Sequence, residues 1–121
     1  MSGSIVTSSP VFRPWDVVLV PFPYSDRLAE KRRPALVVSS PKLHQLGYVW
    51  LAMITGAAKQ QRVGDLVISD LQAAGLPGAS MVRTSKLATV EPARVVRRIG
   101  GIAKAERTAL ARSIRSLLAP A

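Results

Sequence analysis

The sequence has 121 residues, no cysteine and a formal net charge of +10, from 17 basic and 7 acidic residues. This length suits one domain that buries a core without cross-links, and the absence of cysteine excludes disulfide and thiolate chemistry. The longest apolar run, residues 17–23, contains prolines and is too short to span a bilayer. Residues 1–12 lack the form of a secretory signal, so we expect a cytoplasmic protein.

The positive charge is spread along the whole chain rather than held in a tail. Residues 1–60 contribute 7 − 3 = +4, and residues 61–121 contribute 10 − 4 = +6. Such a field attracts polyanions, either a nucleic acid or an acidic protein, with an anionic membrane surface as a weaker option. Composition by itself does not choose among these partners.

The order of patterns along the chain predicts a mainly β domain with one C-terminal helix. Residues 1–12 have turn-type composition, so we expect a loosely ordered N-terminal extension before a folded domain at residues 13–121. Residues 24–33 and 73–78 are expected to be loops. Runs rich in β-branched residues predict strands at residues 16–22, 35–40, 48–55, 63–69, 80–90 and 95–102.

Residues 104–118 change to a helical pattern, with Leu110, Ile114, Leu117 and Leu118 on one stripe. One amphipathic helix should therefore close the domain. Short strands at regular spacing together with this helix favour a compact, curled antiparallel sheet or small barrel.

The most informative stretch is Lys-Arg-Arg-Pro-Ala-Leu-Val-Val at residues 31–38. Pro34 favours extended geometry for the residue before it, so we expect Arg33 at a rigid junction between loop and strand. From such a base its planar guanidinium could grip a phosphate with two hydrogen bonds. The plain alternative is a solvated loop charge.

Four segments together resemble the MazF/PemK family of toxin endoribonucleases. They are Asp-Val-Val-Leu-Val-Pro-Phe-Pro at residues 16–23, residues 31–38, the strand ending Ile54-Thr55, and Gly-Leu-Pro-Gly-Ala-Ser at residues 75–80 leading into Val82-Arg83. The resemblance runs from about Trp15 to Leu118. It implies an SH3-like barrel of the CcdB/MazF/PemK type, a homodimer, sequence-selective cleavage of single-stranded RNA, and inhibition by an acidic cognate antitoxin.

The resemblance also assigns roles to particular residues. Arg33 and Thr55 fall at the positions of the family's catalytic pair, and Arg83 falls at an arginine that some members also use. The loop around residues 24–32 is expected to cover the RNA or to be displaced by the antitoxin. Candidate RNA-binding residues around these positions are Lys31, Arg32, Lys59, Arg62, Ser80, Ser85 and Lys86.

These residue types suit RNA cleavage without a metal or other cofactor, in which the substrate's own 2′-hydroxyl is the nucleophile. Arg33 would supply a fixed cation and Thr55 a hydroxyl donor to the extra charge on the phosphorane oxygens. Arginine keeps its charge at working pH, so we favour electrostatic stabilisation over proton donation for Arg33. The chain contains no evident metal-ligand cluster.

Two positions depart from the family pattern, and one histidine needs an interpretation. Trp15 replaces the glycine usually found before the first-strand aspartate, and Ser85 stands where some relatives place an aspartate proposed as general base. The general base is therefore unassigned. His44 has a suitable ordinary pKa but matches no motif, and we interpret it as a surface histidine.

Two other functions remain open at this point. A non-catalytic nucleic-acid-binding barrel would bind RNA in a salt-sensitive way without cutting it. A gyrase-poisoning toxin of the CcdB type is less favoured, because such toxins end on a tail that contains tryptophan, whereas this chain ends Leu-Leu-Ala-Pro-Ala.

Overall fold

A computed structural model describes residues 12–22 and 31–121. Its strands are β1 Asp16–Phe22, β2 Lys31–Val37, β3 Val49–Gly56, β4 Asp65–Val67, β5 Ser80–Val90 and β6 Arg97–Gly101. Its helices are α1 Pro41–Gln45, α2 Leu71–Ala74 and α3 Lys104–Leu117, with a 3₁₀ turn at Pro92–Arg94. Residues 1–11 of the predicted extension, residue 23 and residues 24–30 of the predicted loop lie outside the described residues.

The six strands form one antiparallel sheet in the order β4-β5-β3-β2-β1-β6. This confirms the mainly β class, but the predicted barrel is an open sheet with β4 and β6 at its edges. Helix α2, which follows β4, packs against β6 at the other edge. A Cβ at Gly75 would lie 1.9 Å from the carbonyl oxygen of Ile99, so only glycine permits this approach.

Side chains alternate between two hydrophobic cores, one on each face of the sheet. The first core contains Val17, Leu36, Ala52 and Ile54 of the strands together with Leu110 of α3, so the C-terminal helix covers this face. The second core contains Val18, Val20, Ala35, Val37, Val49, Leu51, Met53 and Val95, and Phe12, Ala88 and Val90 pack against it. The two cores therefore fix which face of the sheet each of these strand residues occupies.

Strand β2 begins earlier than predicted. We expected residues 35–40, whereas residues 31–33 already pair with β1, Arg33 lying opposite Val20. Pro34 is therefore the fourth residue of the strand and not its first. It is tolerated because the pairing of β2 with β3 begins only at Ala35, so this half of β2 is paired on one side only.

Two short helices that the sequence did not predict lie between strands. Pro41 starts α1, where its missing N–H removes a donor that would be unpaired in any case. Helix α2 begins with the Asp70 carboxylate accepting from the amide of Ala73 at 3.0 Å, and ends at Gly75 with φ +71°. Strands β4 and β6 are shorter than predicted, because the residues that flank them turn into loops.

Trp15 has φ +73° and is the only non-glycine residue with positive φ among residues 12–22 and 31–121. Its amide donates to the carbonyl of Val37 at 2.7 Å and its carbonyl accepts from the amide of Ile102 at 3.2 Å. These two bonds fix the backbone while the indole packs against the first core. The left-handed backbone gives a physical reason why glycine suits this position.

Replacing Trp15 by glycine and by alanine should separate backbone strain from packing. Both variants lose the packing of the indole, but only alanine keeps a Cβ in the left-handed region. We expect Trp15→Gly to be more stable than Trp15→Ala by about 1 kcal/mol in urea denaturation. The opposite order, which is the ordinary one in helices and strands, would contradict the left-handed backbone.

Candidate active site

The register of the sheet places two of the predicted catalytic residues just beyond the end of one strand pairing. The last pair between β2 and β3 sets Ala35 opposite Met53. Arg33 on β2 and Thr55 on β3 each lie two residues beyond this pair, where β2 is paired with β1 only. Both residues therefore flank the end of the β2–β3 ladder.

Both side chains belong to the face that carries the second core. Arg33 alternates with Ala35 along β2, and Thr55 alternates with Met53 along β3; Ala35 and Met53 are core residues of this face. Arg33 is exposed and Thr55 is half-buried. The pair therefore lies at the margin of the second core, where an apolar floor ends and solvent begins.

The third predicted residue, Arg83, lies beside this pair but turns away from it. Met81 of β5 is opposite Thr55, so Arg83 is the diagonal neighbour of Thr55, about 7–8 Å away. Its Nε donates to Asp65 Oδ2 at 3.2 Å, and its Nη2 donates to the Gln60 carbonyl at 2.9 Å. The guanidinium is directed toward β4 by these contacts.

Asp65 holds Arg83 in this orientation. Its side chain is fully buried, whereas that of Arg83 is 12% exposed. Asp65 Oδ2 also accepts from the amide of Arg62 at 2.7 Å, and Oδ1 has no hydrogen-bond partner among the described residues. Sequence reasoning missed Asp65, because the only sign of its role is a carboxylate opposite Arg83 once β4 and β5 are paired.

Removing the charge of Arg83 should destabilise the fold, because it leaves the buried Asp65 carboxylate without its cation. We expect Arg83→Gln to lower the free energy of unfolding by about 3 kcal/mol in urea denaturation. Arg98→Gln is the matched control: the Arg98 side chain is 52% exposed in its ion pair with Asp16, and its loss should cost less than about 1 kcal/mol. Equal losses would show that the Asp65 pair is no tighter than a surface pair.

The remaining candidate residues differ in exposure and in local strand geometry. Residues 84–86 form a bulge in β5, since Arg83 pairs with Met53 and Leu87 with Ala52. Bulges commonly redirect side chains next to functional sites. Six candidates are exposed: Lys31, Arg32, Lys59, Arg62, Ser85 and Lys86. The seventh, Ser80, is buried and its hydroxyl donates to the Gly78 carbonyl at 2.7 Å, so its contact with RNA stays a prediction.

His44 is not the surface residue that the sequence indicated. It is half-buried on α1, with Nε2 2.8 Å from the hydroxyl of Ser39, and its ring meets that of Phe12 edge-on at 5.1 Å between centroids. Ser39 also accepts from the amide of Trp50 at 3.0 Å. Trp50 and Thr55 are five residues apart on β3, about 17 Å, so His44 is too far to act as base there.

Burial lowers the pKa of His44 from its ordinary value of 6.5. The unfolded chain therefore binds a proton more readily than the folded one between the lowered pKa and 6.5. Stability should be complete above pH 6.5 and fall as the pH drops through this window. We expect the difference in unfolding free energy between wild type and His44→Gln to shrink from pH 7.5 to pH 5; a constant difference would contradict a buried neutral imidazole.

The family model that matches this chain describes a PemK-like, MazF-like toxin of a type II toxin-antitoxin system, and it covers residues 13–118. The chain belongs to this toxin family. No curated protein sequence matches this chain significantly. The MazF/PemK assignment therefore rests on the family model.

Solved toxin structures share this fold at low sequence identity. The Mycobacterium tuberculosis toxin MazF-mt6 is 22% identical with a TM-score of 0.68, over 84% of this chain and 93% of that one. The MazE–MazF structure from Deinococcus radiodurans is 18% identical with a TM-score of 0.68, over 92% and 98%. An endoribonuclease in complex with its cognate antitoxin, from a mycobacterial species, is 12% identical with a TM-score of 0.70, over 91% and 100%.

Two kinds of feature are absent from the described part of this toxin. No group of three or more histidine, aspartate or glutamate side chains in residues 12–22 and 31–121 is placed to hold a metal ion. No helix in the same residues is long and apolar enough to cross a bilayer.

Proposed function

We propose that this toxin is an endoribonuclease that cuts single-stranded RNA without a metal ion, with Arg33 and Thr55 as its catalytic residues. The observation that supports the proposal is the β2–β3 register: Arg33 and Thr55 each lie two residues beyond its last pair, on the face of the sheet that carries the second core. A cation and a hydroxyl donor at the edge of an apolar floor suit the binding of a single phosphodiester. Membership of the MazF-like toxin family supports the same activity.

In the proposed reaction the 2′-oxygen of the RNA attacks the adjacent phosphorus and the bond from phosphorus to the 5′-oxygen breaks. The 2′-hydroxyl loses its proton and the departing 5′-oxygen gains one, giving a 2′,3′-cyclic phosphate and a 5′-hydroxyl. Arg33 would neutralise the charge that accumulates on the nonbridging oxygens. Thr55 would donate a hydrogen bond to one of them, and both groups act most strongly in the transition state.

Arg83 would contribute hydrogen-bond donors from the neighbouring strand, although Asp65 compensates its charge. Because its guanidinium is held by Asp65 and by the Gln60 carbonyl, it would meet the RNA strand in a fixed orientation rather than follow the reacting phosphate. This geometry suits contact with a neighbouring phosphate, which positions the strand. The exposed cations Lys31, Arg32 and Lys59 would extend the same basic surface.

The proposal includes two protein partners and a location. Two of the solved structures with this fold are toxins in complex with a cognate antitoxin or with MazE. A chain with net charge +10 suits an acidic antitoxin, which would compete with RNA for the same cations. We further propose that the toxin is a homodimer that acts in the cytoplasm, where messenger RNA is available.

Substitution of the central pair should abolish most cleavage without unfolding the protein. We expect Arg33→Ala and Thr55→Val each to lower the cleavage rate about a hundredfold to a thousandfold, because each removes one donor to the developing charge. The measurement is cutting of a long unstructured RNA in excess chelator, with mapping of the cut positions and of both end groups.

Arg112→Ala is the matched control, since Arg112 is an exposed arginine of α3 on the face away from the site. It should cut like wild type. Full activity of Arg33→Ala, or loss of cutting in chelator that added metal restores, would contradict the proposal. Salt-sensitive RNA binding by the wild type without scission would instead indicate a non-catalytic binding module.

A further inference from the structure

A basic pocket lies at the opposite end of β1 from the Arg33–Thr55 pair. It encloses about 490 Å³ and is lined by Phe12, Arg13, Pro14, Asp16, Arg98 and Arg107. We call it the Arg98 pocket. Three guanidinium groups and one carboxylate give its lining a net charge of 3 − 1 = +2, and none of the residues assigned to cleavage contributes to it.

The carboxylate in the Arg98 pocket acts as a support for the cations. Asp16 Oδ1 lies 3.0 Å from Nε of Arg98, and Asp16 Oδ2 accepts from the backbone amide of Arg13 at 2.8 Å. Nη2 of Arg98 lies 3.3 Å from the position that a Cβ of Gly101 would take. Asp16 is itself buried, and its two oxygens hold the Arg98 side chain and the Arg13 backbone.

The guanidinium of Arg107 is fixed, like that of Arg98, but by a different acceptor. Nε of Arg107, the fourth residue of α3, donates to the carbonyl of Ile102 at 3.0 Å. In both Arg98 and Arg107 the contact that fixes the side chain uses Nε, so the terminal nitrogens are the atoms that can meet a ligand. Preorganised arginines of this kind bind anions with less loss of side-chain entropy than mobile ones.

The volume and the lining of the pocket indicate which kind of anion it binds. Its volume lies within the range of small-molecule sites and exceeds what a bare ion fills, and Phe12 and Pro14 add an apolar wall beside the cations. In a nucleotide, the phosphate would contact the arginines and the nucleoside would contact the apolar wall. Guanidinium groups match phosphate oxygens with paired hydrogen bonds.

The Arg98 pocket is also within reach of an RNA strand at the cleavage site. Asp16 lies four residues from Val20 on β1, about 13 Å along the strand, and Val20 is the partner of Arg33. Asp16, Val18 and Val20 are alternate residues of β1, so their side chains lie on the same face of the sheet. Arg98 of β6 pairs with Val18. Asp16 and Arg98 thus share a face of the sheet with the catalytic pair, whereas Arg107 reaches the pocket from α3 at the edge of the sheet.

We propose that the Arg98 pocket binds a backbone phosphate of the RNA substrate, away from the phosphate that is cut. This inference rests on the proposed ribonuclease function and adds an anchoring site to it. The anchor contributes to affinity and to the position of the strand and takes no part in bond breaking. Phosphate contacts of this kind fix the register of a nucleic acid on a protein surface.

The test measures binding of an unstructured RNA that is 2′-O-methylated throughout, which lacks the nucleophile and is not cut. The double variant Arg13→Gln/Arg98→Gln should bind it about tenfold more weakly than wild type. Its plot of log affinity against log salt should be shallower by about 0.7 for each phosphate that the variant no longer neutralises. The control Arg94→Gln/Arg97→Gln removes the same charge from exposed arginines outside the pocket and should change affinity less than threefold.

Competition with inorganic phosphate and with a nucleoside monophosphate distinguishes a strand from a free ligand. Inorganic phosphate or the nucleoside monophosphate could shift the Arg98 and Arg107 Nε–H resonances while the two double variants bind RNA with equal affinity. That result would show that the pocket serves a free phosphoryl compound, and the proposal would be overturned. A loss confined to binding of an acidic peptide would overturn it in favour of a protein partner. Equal affinities with no shift would also overturn it.

A failure of the proposed nuclease function would give results different from a failure of the anchoring site. Wild-type protein that binds the methylated RNA through the Arg98 pocket but leaves the unmodified RNA intact would contradict the nuclease and keep the anchoring site. Wild-type protein that cuts RNA, with the two double variants alike in affinity and in cutting, would keep the nuclease and remove the anchoring site.

Discussion

The candidate site depends on the antiparallel pairing of β2 with β3. Its last pair, Ala35 with Met53, lies two residues from both Arg33 and Thr55, and a slip of a single residue would move Thr55 to the other face of the sheet. The register is enforced by the cores, because Ala35 and Met53 must remain in the second core while Leu36 remains in the first. Hydrophobic burial on both faces thus determines that the two polar side chains share one face.

The same constraint explains the different states of the two arginines. Arg33 lies where β2 has a neighbour on one side only, so its guanidinium extends into solvent with a firmly paired backbone. Arg83 lies in the sheet between β3 and β4, and a buried carboxylate from Asp65 compensates its charge. One cation is available to a reacting phosphate, and the other is already oriented by the protein. At the far end of β1, in the more exposed Arg98 pocket, Asp16 orients Arg98 as Asp65 orients Arg83.

Much of the fold could be predicted from sequence, and the reasons are local. The strands β1 and β5 and the helix α3 follow from β-branched runs and from helical periodicity, and their observed bounds agree within one residue with those expected. The predicted start of β2 was wrong, because three charged residues resemble a loop until pairing with β1 is known. Helices α1 and α2 were missed because each is a single turn, which is set by caps and by packing rather than by periodicity.

The sequence by itself determined the class of fold, the basic character, and the identity of Arg33 and Thr55 as the residues to examine, since these depend on composition, local pattern and motif. Only the tertiary structure decided that Asp65 holds Arg83 and that His44 is bound to Ser39 and lies far from Thr55. It also decided that Trp15 occupies a left-handed backbone position and that Arg98 and Arg107 converge on one pocket. Each of these joins residues distant in the chain, and such contacts exist only after the strands have paired and the helix has packed.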